Sequence, residues 1–260
     1  MRAPAKINLA LVVGPLRPDG KHELATVYQR VELADEVVLE PAGSLAVEGF
    51  EGDTLVRAAL ERLAAAAGVA PRWRARIEKR IPVAAGLGGG SSDAASALLL
   101  ANALLPAPLS HGRLHALATG LGADVPFFLE PGPKLGTGDG TTLEPVELRQ
   151  DYAVLLLLPR GAAKASTASV YARFDGGEGF GERRARLLAA LAAGDLAALP
   201  PNDLASSPLA ARLRELGAFR ADVSGAGPCV YGCFEERAGA ERAAEALAEL
   251  GRVWVGAPEW

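Results

Sequence analysis

Pro82-Val83-Ala84-Ala85-Gly86-Leu87-Gly88-Gly89-Gly90-Ser91-Ser92-Asp93-Ala94-Ala95 is the stretch around which the rest of the chain is read. Glycine permits positive φ and lets a ligand approach the main chain. Ser91, Ser92 or Asp93 can cap the Ala/Leu-rich helix that follows. A glycine loop feeding a helix start aims several N–H groups and the positive end of the helix dipole at one point. That is an anion site, and phosphate is the usual anion. The spacing is neither of the familiar phosphate loops. G-x-x-x-x-G-K-[ST] and G-x-G-x-x-G, started at Gly86, both meet Ser91 where a glycine is needed.

With 260 residues, 50% of them hydrophobic, the chain is at the size where one core stops growing and domains split. A net charge of -4 and the absence of a basic run argue against nucleic acid as a partner. The densest basic stretch, Arg72 to Arg80, is interrupted by apolar residues and reads as the solvated face of a strand. Cys229 and Cys233, on one face of a strand, would be about 13 Å apart, too far for a disulfide. They read as reduced core residues of a cytoplasmic protein. Arg2 and Lys6 precede Ile7 to Val13, but that run is too short for a signal peptide and ends at Gly14-Pro15 and Arg17 without a small-residue cleavage site, and no stretch has the length of a membrane span.

Upstream of the loop, Ala5 to Val13 alternates as a strand, with Lys6 and Asn8 on one face about 7 Å apart. Spacing alone favours an exposed edge over a cleft. Pro18-Asp19-Gly20 is a turn, and the His22 that follows reads as a surface residue. Val27 to Leu33 and Val37 to Glu40 read as a hairpin, with Asp35-Glu36 at its turn. Asp53 caps a helix bearing Val56, Leu60, Leu63 and Ala67 on one face, closed by Gly68. Trp73 to Ile81 is the strand that delivers the chain to the loop.

Downstream, Ser110 caps a helix stopping at Gly120. Asp124 follows, between glycine and a Pro-Phe-Phe run. It is either a cap or turn aspartate or a carboxylate at the mouth of a pocket. Pro131 to Thr142 reads as a loop. From Val154 the order is strand, two helices (Glu182 to Ala193, then Ser207-Pro208 to Gly217), two strands, helix (about Arg237 to Leu250), strand. This is the ferredoxin-like order with a helical insertion in its first crossover. A domain boundary falls near residue 150. Ser224-Gly225-Ala226-Gly227-Pro228, between the two central strands, is a second glycine turn.

Together these pieces resemble the GHMP kinases. That superfamily carries a proline-led P-x-x-x-G-L-G-S/G-S-type loop, similar to Pro82 to Ser92, and a late glycine turn similar to Ser224 to Cys229. Pro4-Ala5-Lys6-Ile7-Asn8-Leu9, Asp19-Gly20-Lys21-His22, the triple glycine 88–90 and Leu121-Gly122-Ala123-Asp124-Val125-Pro126 resemble one branch of it. That branch phosphorylates 4-diphosphocytidyl-2-C-methyl-D-erythritol in the non-mevalonate isoprenoid pathway. The motifs run in the same order over the whole chain.

The resemblance implies an α+β, two-domain fold with the active site between domains. Residues 1–150 would form a mixed α/β domain with the phosphate loop, and 151–260 a ferredoxin-like domain. It implies transfer of the ATP γ-phosphoryl group to the 2-hydroxyl of the erythritol moiety. Pro82, Val83, Ala84, Ala85, Gly86, Leu87, Gly88, Gly89, Gly90, Ser91 and Ser92 would bind ATP. Asp124 would accept the hydroxyl proton, and Lys6 would keep Asp124 ionised and stabilise developing charge. That reverses the edge reading of Lys6. Asn8, His22, Thr167, Tyr171, Gly225 and Gly227 would bind substrate, His22 reading the cytosine and Tyr171 stacking on it. The family often has tyrosine where this chain has Lys21, which leaves stacking to Tyr171. Ala84 and Ala85 stand where glycine is frequent. Mg²⁺ is expected from the chemistry. Its ligands are not identified, since Ser91 or Ser92 could reach it or cap the helix. The expected partner is the small cytidine diphosphate compound, with no nucleic acid and no membrane; oligomeric state stays open. Two alternatives are a homoserine- or mevalonate-type kinase, which would not need the Asp19–His22 turn, and a non-catalytic sensor, which would not need both Lys6 and Asp124.

Overall fold

Strand β1 (Arg2–Leu16) opens the chain, and β2 (His22–Pro41) and β3 (Ala46–Glu48) follow. Helix α1 (Leu55–Ala67) and strand β4 (Trp73–Glu78) lead to α2 (Gly89–Ala103) and α3 (His111–Leu121). Next come β5 (Lys134–Gly138), β6 (Thr142–Pro145), β7 (Ala153–Pro159), α4 (Thr167–Tyr171), α5 (Phe180–Ala193) and α6 (Pro208–Glu215). Strands β8 (Arg220–Val223) and β9 (Val230–Phe234), helix α7 (Arg237–Leu247), and strands β10 (Gly251–Gly256) and β11 (Pro258–Glu259) complete the order. The computed structural model describes residues 1–50, 55–162, 167–174 and 178–260. The Asp53 cap expected for α1 lies outside the described residues.

The contacts divide the chain into two units. The first comprises Met1–Ala5, Leu33–Val83 and Gly88–Pro131. In it the later part of β2 pairs antiparallel with β4, from Glu36 opposite Glu78 to Pro41 opposite Trp73. β3 runs parallel to β4. β4 alternates, with Trp73, Ala75 and Ile77 inward and Arg74, Arg76 and Glu78 outward, as expected for a strand with one wet face. Helix α1 lies against α2 and α3. Its buried stripe is Val56, Ala59, Leu60, Leu63 and Ala64, and Gly68 ends it at φ +69°.

The second unit comprises Lys6–Glu32, Ala84–Leu87 and Gly132–Trp260. The early part of β2 pairs with β5, from Leu24 opposite Gly138 to Tyr28 opposite Lys134. β5 pairs with β6, β11 with β2, and β1 also with β2. A second sheet has the order β10-β7-β9-β8, all pairs antiparallel. That is the ferredoxin-like arrangement, with α5 and α6 in its first crossover. Its core holds Leu155, Leu157, Leu213, Val230, Phe234, Ala240 and Leu247.

Two expectations about local structure are corrected. The hairpin over Val27 to Glu40 is one continuous strand. Asp35, expected at its turn, is 1% exposed, and its carboxylate accepts the Arg80 and Ile81 amides at 2.6 and 2.8 Å. Partners distant in sequence thus satisfy a side chain that would otherwise have shaped a turn. The loop over Pro131 to Thr142 contains β5 and the start of β6. Its glycines serve the hairpin: Gly138 and Gly140 adopt φ +68° and +94°, and a Cβ on Gly136 would fall 2.6 Å from the Tyr28 ring.

Candidate active site

The edge reading of Lys6 and Asn8 is overturned, because each is 3% exposed. Lys6 Nζ donates to Asn8 Oδ1 at 2.7 Å, and Asn8 Nδ2 donates to Thr26 Oγ1 at 2.8 Å. Thr26 Oγ1 in turn donates to the Ala10 carbonyl at 2.8 Å. The chain of bonds fixes which way the Asn8 amide faces. Lys6 Nζ also stands 5.7 Å from the centre of the Tyr28 ring, a cation–π distance.

Main chain from both glycine turns reaches this pair. Lys6 N donates to the Leu87 carbonyl at 2.9 Å. Gly86 has φ +85°, and a Cβ there would fall 2.3 Å from the Ser224 carbonyl oxygen. Ser224 Oγ donates to the Gly86 carbonyl at 3.0 Å, and Cys229 N donates to the Ala85 carbonyl at 3.0 Å. Gly225, at φ +57°, comes so near that a Cβ would lie 3.3 Å from Asn8 Oδ1 and 3.5 Å from Lys6 Nζ. Gly227 N closes the turn onto the Ser224 carbonyl at 2.9 Å. Residues 84–87, the 224–227 turn, Lys6 and Asn8 therefore meet in one place.

Beneath them is a layer that sequence reasoning missed. Asn202 Nδ2 donates to the Gly225 and Val223 carbonyls at 2.7 and 2.9 Å, while Asn202 N donates to Asp222 Oδ2 at 2.8 Å. The Arg220 guanidinium is 6% exposed. It donates to the carbonyls of Leu9, Leu199 and Pro200 at 2.7, 2.6 and 2.8 Å. The Pro200-Pro201-Asn202-Asp203 stretch signals a loop, but nothing in it names these partners.

His22 is half-buried rather than on the open surface. Its Nδ1 lies 2.9 Å from the Gly14 carbonyl. Nδ1 therefore carries a proton, and Nε2 is the acceptor in the neutral ring. The ring stacks on Tyr171 at 5.9 Å between centroids and meets Phe174 edge-on at 5.6 Å. Phe174 was missed, although its place three residues after Tyr171 was the available signal. Lys21, which stands where an aromatic is frequent, is drawn to Asp139, with Nζ 2.5 Å from Oδ2. The Thr167 side chain lies outside the described residues.

The rest of the phosphate loop and Asp124 belong to the first unit. Helix α2 begins at Gly89, and its N-cap is Gly88 at φ +70°, with no side-chain cap bond. This corrects the Ser91/Ser92/Asp93 capping expectation: the left-handed cap is one that glycine adopts without strain. The serines are already helical, and Ser92 N donates to the Gly88 carbonyl at 2.9 Å. The Ser92 hydroxyl is buried without a hydrogen-bond partner among the described residues. Gly90 has open space where a Cβ would stand, whereas a Cβ on Gly89 would meet Ile81 at 3.0 Å. Pro82 is half-buried and Val83 exposed. Ala84 adopts φ +59°, a strained value for a residue with a Cβ. Asp124 is half-buried in the turn between α3 and a 3-10 helix over Pro126–Leu129. Val125, not Asp124, occupies the cap of that 3-10 helix. Cys229 and Cys233 are free, buried thiols. Among the described residues no helix is long and apolar enough to cross a membrane.

Comparisons with known proteins agree with this arrangement. The GHMP kinases N terminal domain model matches residues 54–132 and the GHMP kinases C terminal model residues 182–253. A 4-diphosphocytidyl-2-C-methyl-D-erythritol kinase from Nocardia farcinica is 41% identical over 94% of this chain and 88% of its own length. One from Streptomyces coelicolor is 41% identical over 88% of this chain and 85% of its own. A crystal structure of 4-(cytidine 5'-diphospho)-2C-methyl-D-erythritol kinase superposes with a TM-score of 0.85 at 38% identity, covering 100% of this chain and 99% of that one. A homoserine kinase from Cytophaga hutchinsonii has a TM-score of 0.73 at 15% identity, covering 98% of this chain and 95% of its own, a likeness of fold alone. The buried Lys6–Asn8 pair, the two joined glycine turns and this identity over nearly the full chain lead to one conclusion: the chain belongs to the GHMP kinase family, among the 4-diphosphocytidyl-2-C-methyl-D-erythritol kinases.

Proposed function

We propose that the chain transfers the γ-phosphoryl group of ATP to the 2-hydroxyl of 4-diphosphocytidyl-2-C-methyl-D-erythritol. The observation that carries this reading is the meeting of Lys6, Asn8, Gly86 and Gly225 within 3.5 Å of one another's groups or vacant Cβ positions. In the step, the substrate 2-hydroxyl oxygen forms a bond to the γ-phosphorus. The bond from that phosphorus to the β–γ bridging oxygen breaks, and ADP leaves with the electron pair. The hydroxyl proton passes to the Asp124 carboxylate. Such a transfer asks the protein mainly for positioning and charge stabilisation. Lys6 offsets the charge gathering on the transferring oxygens. Main-chain donors from Ala84 to Ser92 hold the triphosphate. Asn8, Gly225 and Gly227 border the acceptor alcohol. His22 and Tyr171, with Thr167 in the same segment, hold the cytosine, and Phe174 adds an aromatic edge beside His22.

Mg²⁺ suits this donor set. A hard cation carried in on phosphate oxygens needs only one or two protein oxygens, and the Ser92 hydroxyl, without a partner among the described residues, would supply them with Ser91 beside it. When bound, Mg²⁺ neutralises phosphate charge. A division into 1–150 and 151–260 remains part of the proposal; family models over 54–132 and 182–253 are compatible with it, whereas the contacts group Lys6–Glu32 and Gly132–Trp260 together. The test is a substrate panel with ATP. Turnover of the cytidyl compound, and none of mevalonate or homoserine, is expected; the opposite pattern refutes the assignment.

A further inference from the structure

The first unit contains a buried charged cluster that the proposed reaction does not use. Lys79 Nζ bridges Asp35 Oδ2 at 2.5 Å and Asp93 Oδ2 at 2.7 Å, and both carboxylate side chains are 0% exposed. The lysine side chain is 14% exposed, with Phe50 5.9 Å beneath its ammonium. Each member comes from a different segment: Asp35 from β2, Lys79 from the residue just after β4, and Asp93 from the opening turns of α2. Asp35 Oδ1 also holds the Arg80 and Ile81 amides, the last links before Pro82. Gly89 is pressed against the cluster, since a Cβ there would lie 3.4 Å from Asp35 Oδ2.

Two fully buried carboxylates sharing one largely buried ammonium are a poor way to gain stability. An apolar trio of the same volume often does as well or better. What ions add is a fixed geometry, because the bridge forms at one register only. This bridge ties the strand that enters the phosphate loop to the helix that leaves it.

We propose that Lys79, through Asp35 and Asp93, is a positioning residue that sets the first turn of α2, and with it the Gly88–Ser92 donors, for the triphosphate of ATP. The inference rests on ATP being the phosphoryl donor. Its test is Lys79→Met, read by calorimetric Kd for ATP and by separate KM values for ATP and for the cytidyl substrate. Loss of a charge-assisted bridge should raise Kd and KM for ATP by about tenfold or more. KM for the cytidyl substrate should stay within about twofold, because Asn8, His22 and Tyr171 belong to the other unit. A merely structural role would lower the melting temperature and leave the ATP constants of the folded fraction unchanged. A folded Lys79→Met protein with wild-type ATP affinity therefore overturns the proposal. If Lys79→Met does not fold, Asp93→Asn, which keeps the Lys79–Asp35 pair, is read by the same criterion, with an expected rise of about threefold. Wild-type protein that binds ATP but phosphorylates none of the panel alcohols overturns the functional reading instead, and the ATP Kd ratio still decides the role of Lys79.

Discussion

Gly90→Ala separates what the fold asks of the phosphate loop from what a ligand asks. Gly90 is the second residue of α2, and nothing lies within 4 Å of the position its Cβ would take. It is not among the glycines with positive φ, so alanine fits without strain. Glycine in a helix costs about 1 kcal/mol relative to alanine; near the helix start the gain should be about half that. For a chain of this size that raises the melting temperature by about 1–2 °C. The added methyl projects from the exposed side of the loop, where a triphosphate resting on the main chain would be pushed outward. Displacement of about 1 Å in a phosphoryl-transfer site is enough for a large rate loss. KM for ATP should rise about tenfold or more, with the protein more stable than wild type. Calorimetry for melting and initial rates against ATP give the two readings. Higher stability with unchanged ATP kinetics would mean that no ligand approaches Gly90, and the phosphate reading of the loop would fail.

Gly86→Ala should behave in the opposite way. The left-handed conformation costs about 1 kcal/mol, and the 2.3 Å clash with the Ser224 carbonyl separates the turns, with loss of two hydrogen bonds worth about 1 kcal/mol each. A fall of about 3 kcal/mol or more in denaturant stability is expected. Asp124→Asn should reduce kcat by about 10²–10⁴-fold, the usual worth of a general base, with ATP binding by calorimetry preserved; retained turnover removes Asp124 from the mechanism. Asn202→Ala leaves the Gly225 and Val223 carbonyls without their donor. It should lower stability by about 2 kcal/mol and reduce kcat through the displaced turn. Burial pushes the thiols of Cys229 and Cys233 up to about 12, so at pH 8 an alkylating reagent should label them only after unfolding.

Sequence reading succeeded where the cause of structure is local. Helices α1 and α5 to α7 follow from apolar periodicity and from Gly or Ser-Pro punctuation, and β7 from its unbroken Val154 to Leu158 run. It failed where a residue answers to a distant partner. Asp35 looked like a turn former because Arg80 and Ile81, 45 and 46 residues on, could not be seen holding its carboxylate. Lys79 passed for part of a wet strand face for the same reason. Within the candidate site, Lys6, Asn8 and both glycine turns were legible as motifs, but their burial was not. Arg220 meets Leu9 across 211 residues, and no spacing rule links them. The α2 cap was misread because three good capping side chains follow a glycine that caps with its backbone alone.

The short terminal strand β11 has a practical side. Pro258 and Glu259 are laced onto β2 at Val31 and Arg30. Gln29 Nε2 donates to the Glu259 carbonyl at 3.1 Å, and the Trp260 indole covers Gly132. The same β2 carries His22, Thr26 and Tyr28. An affinity handle or reporter fused after Trp260 would load the ribbon bearing those side chains. A handle inserted in the exposed bend at Gly43, where a Cβ meets nothing within 4 Å, would attach beyond the Pro41 end of β2 and not beside the His22–Tyr28 part during immobilised screening.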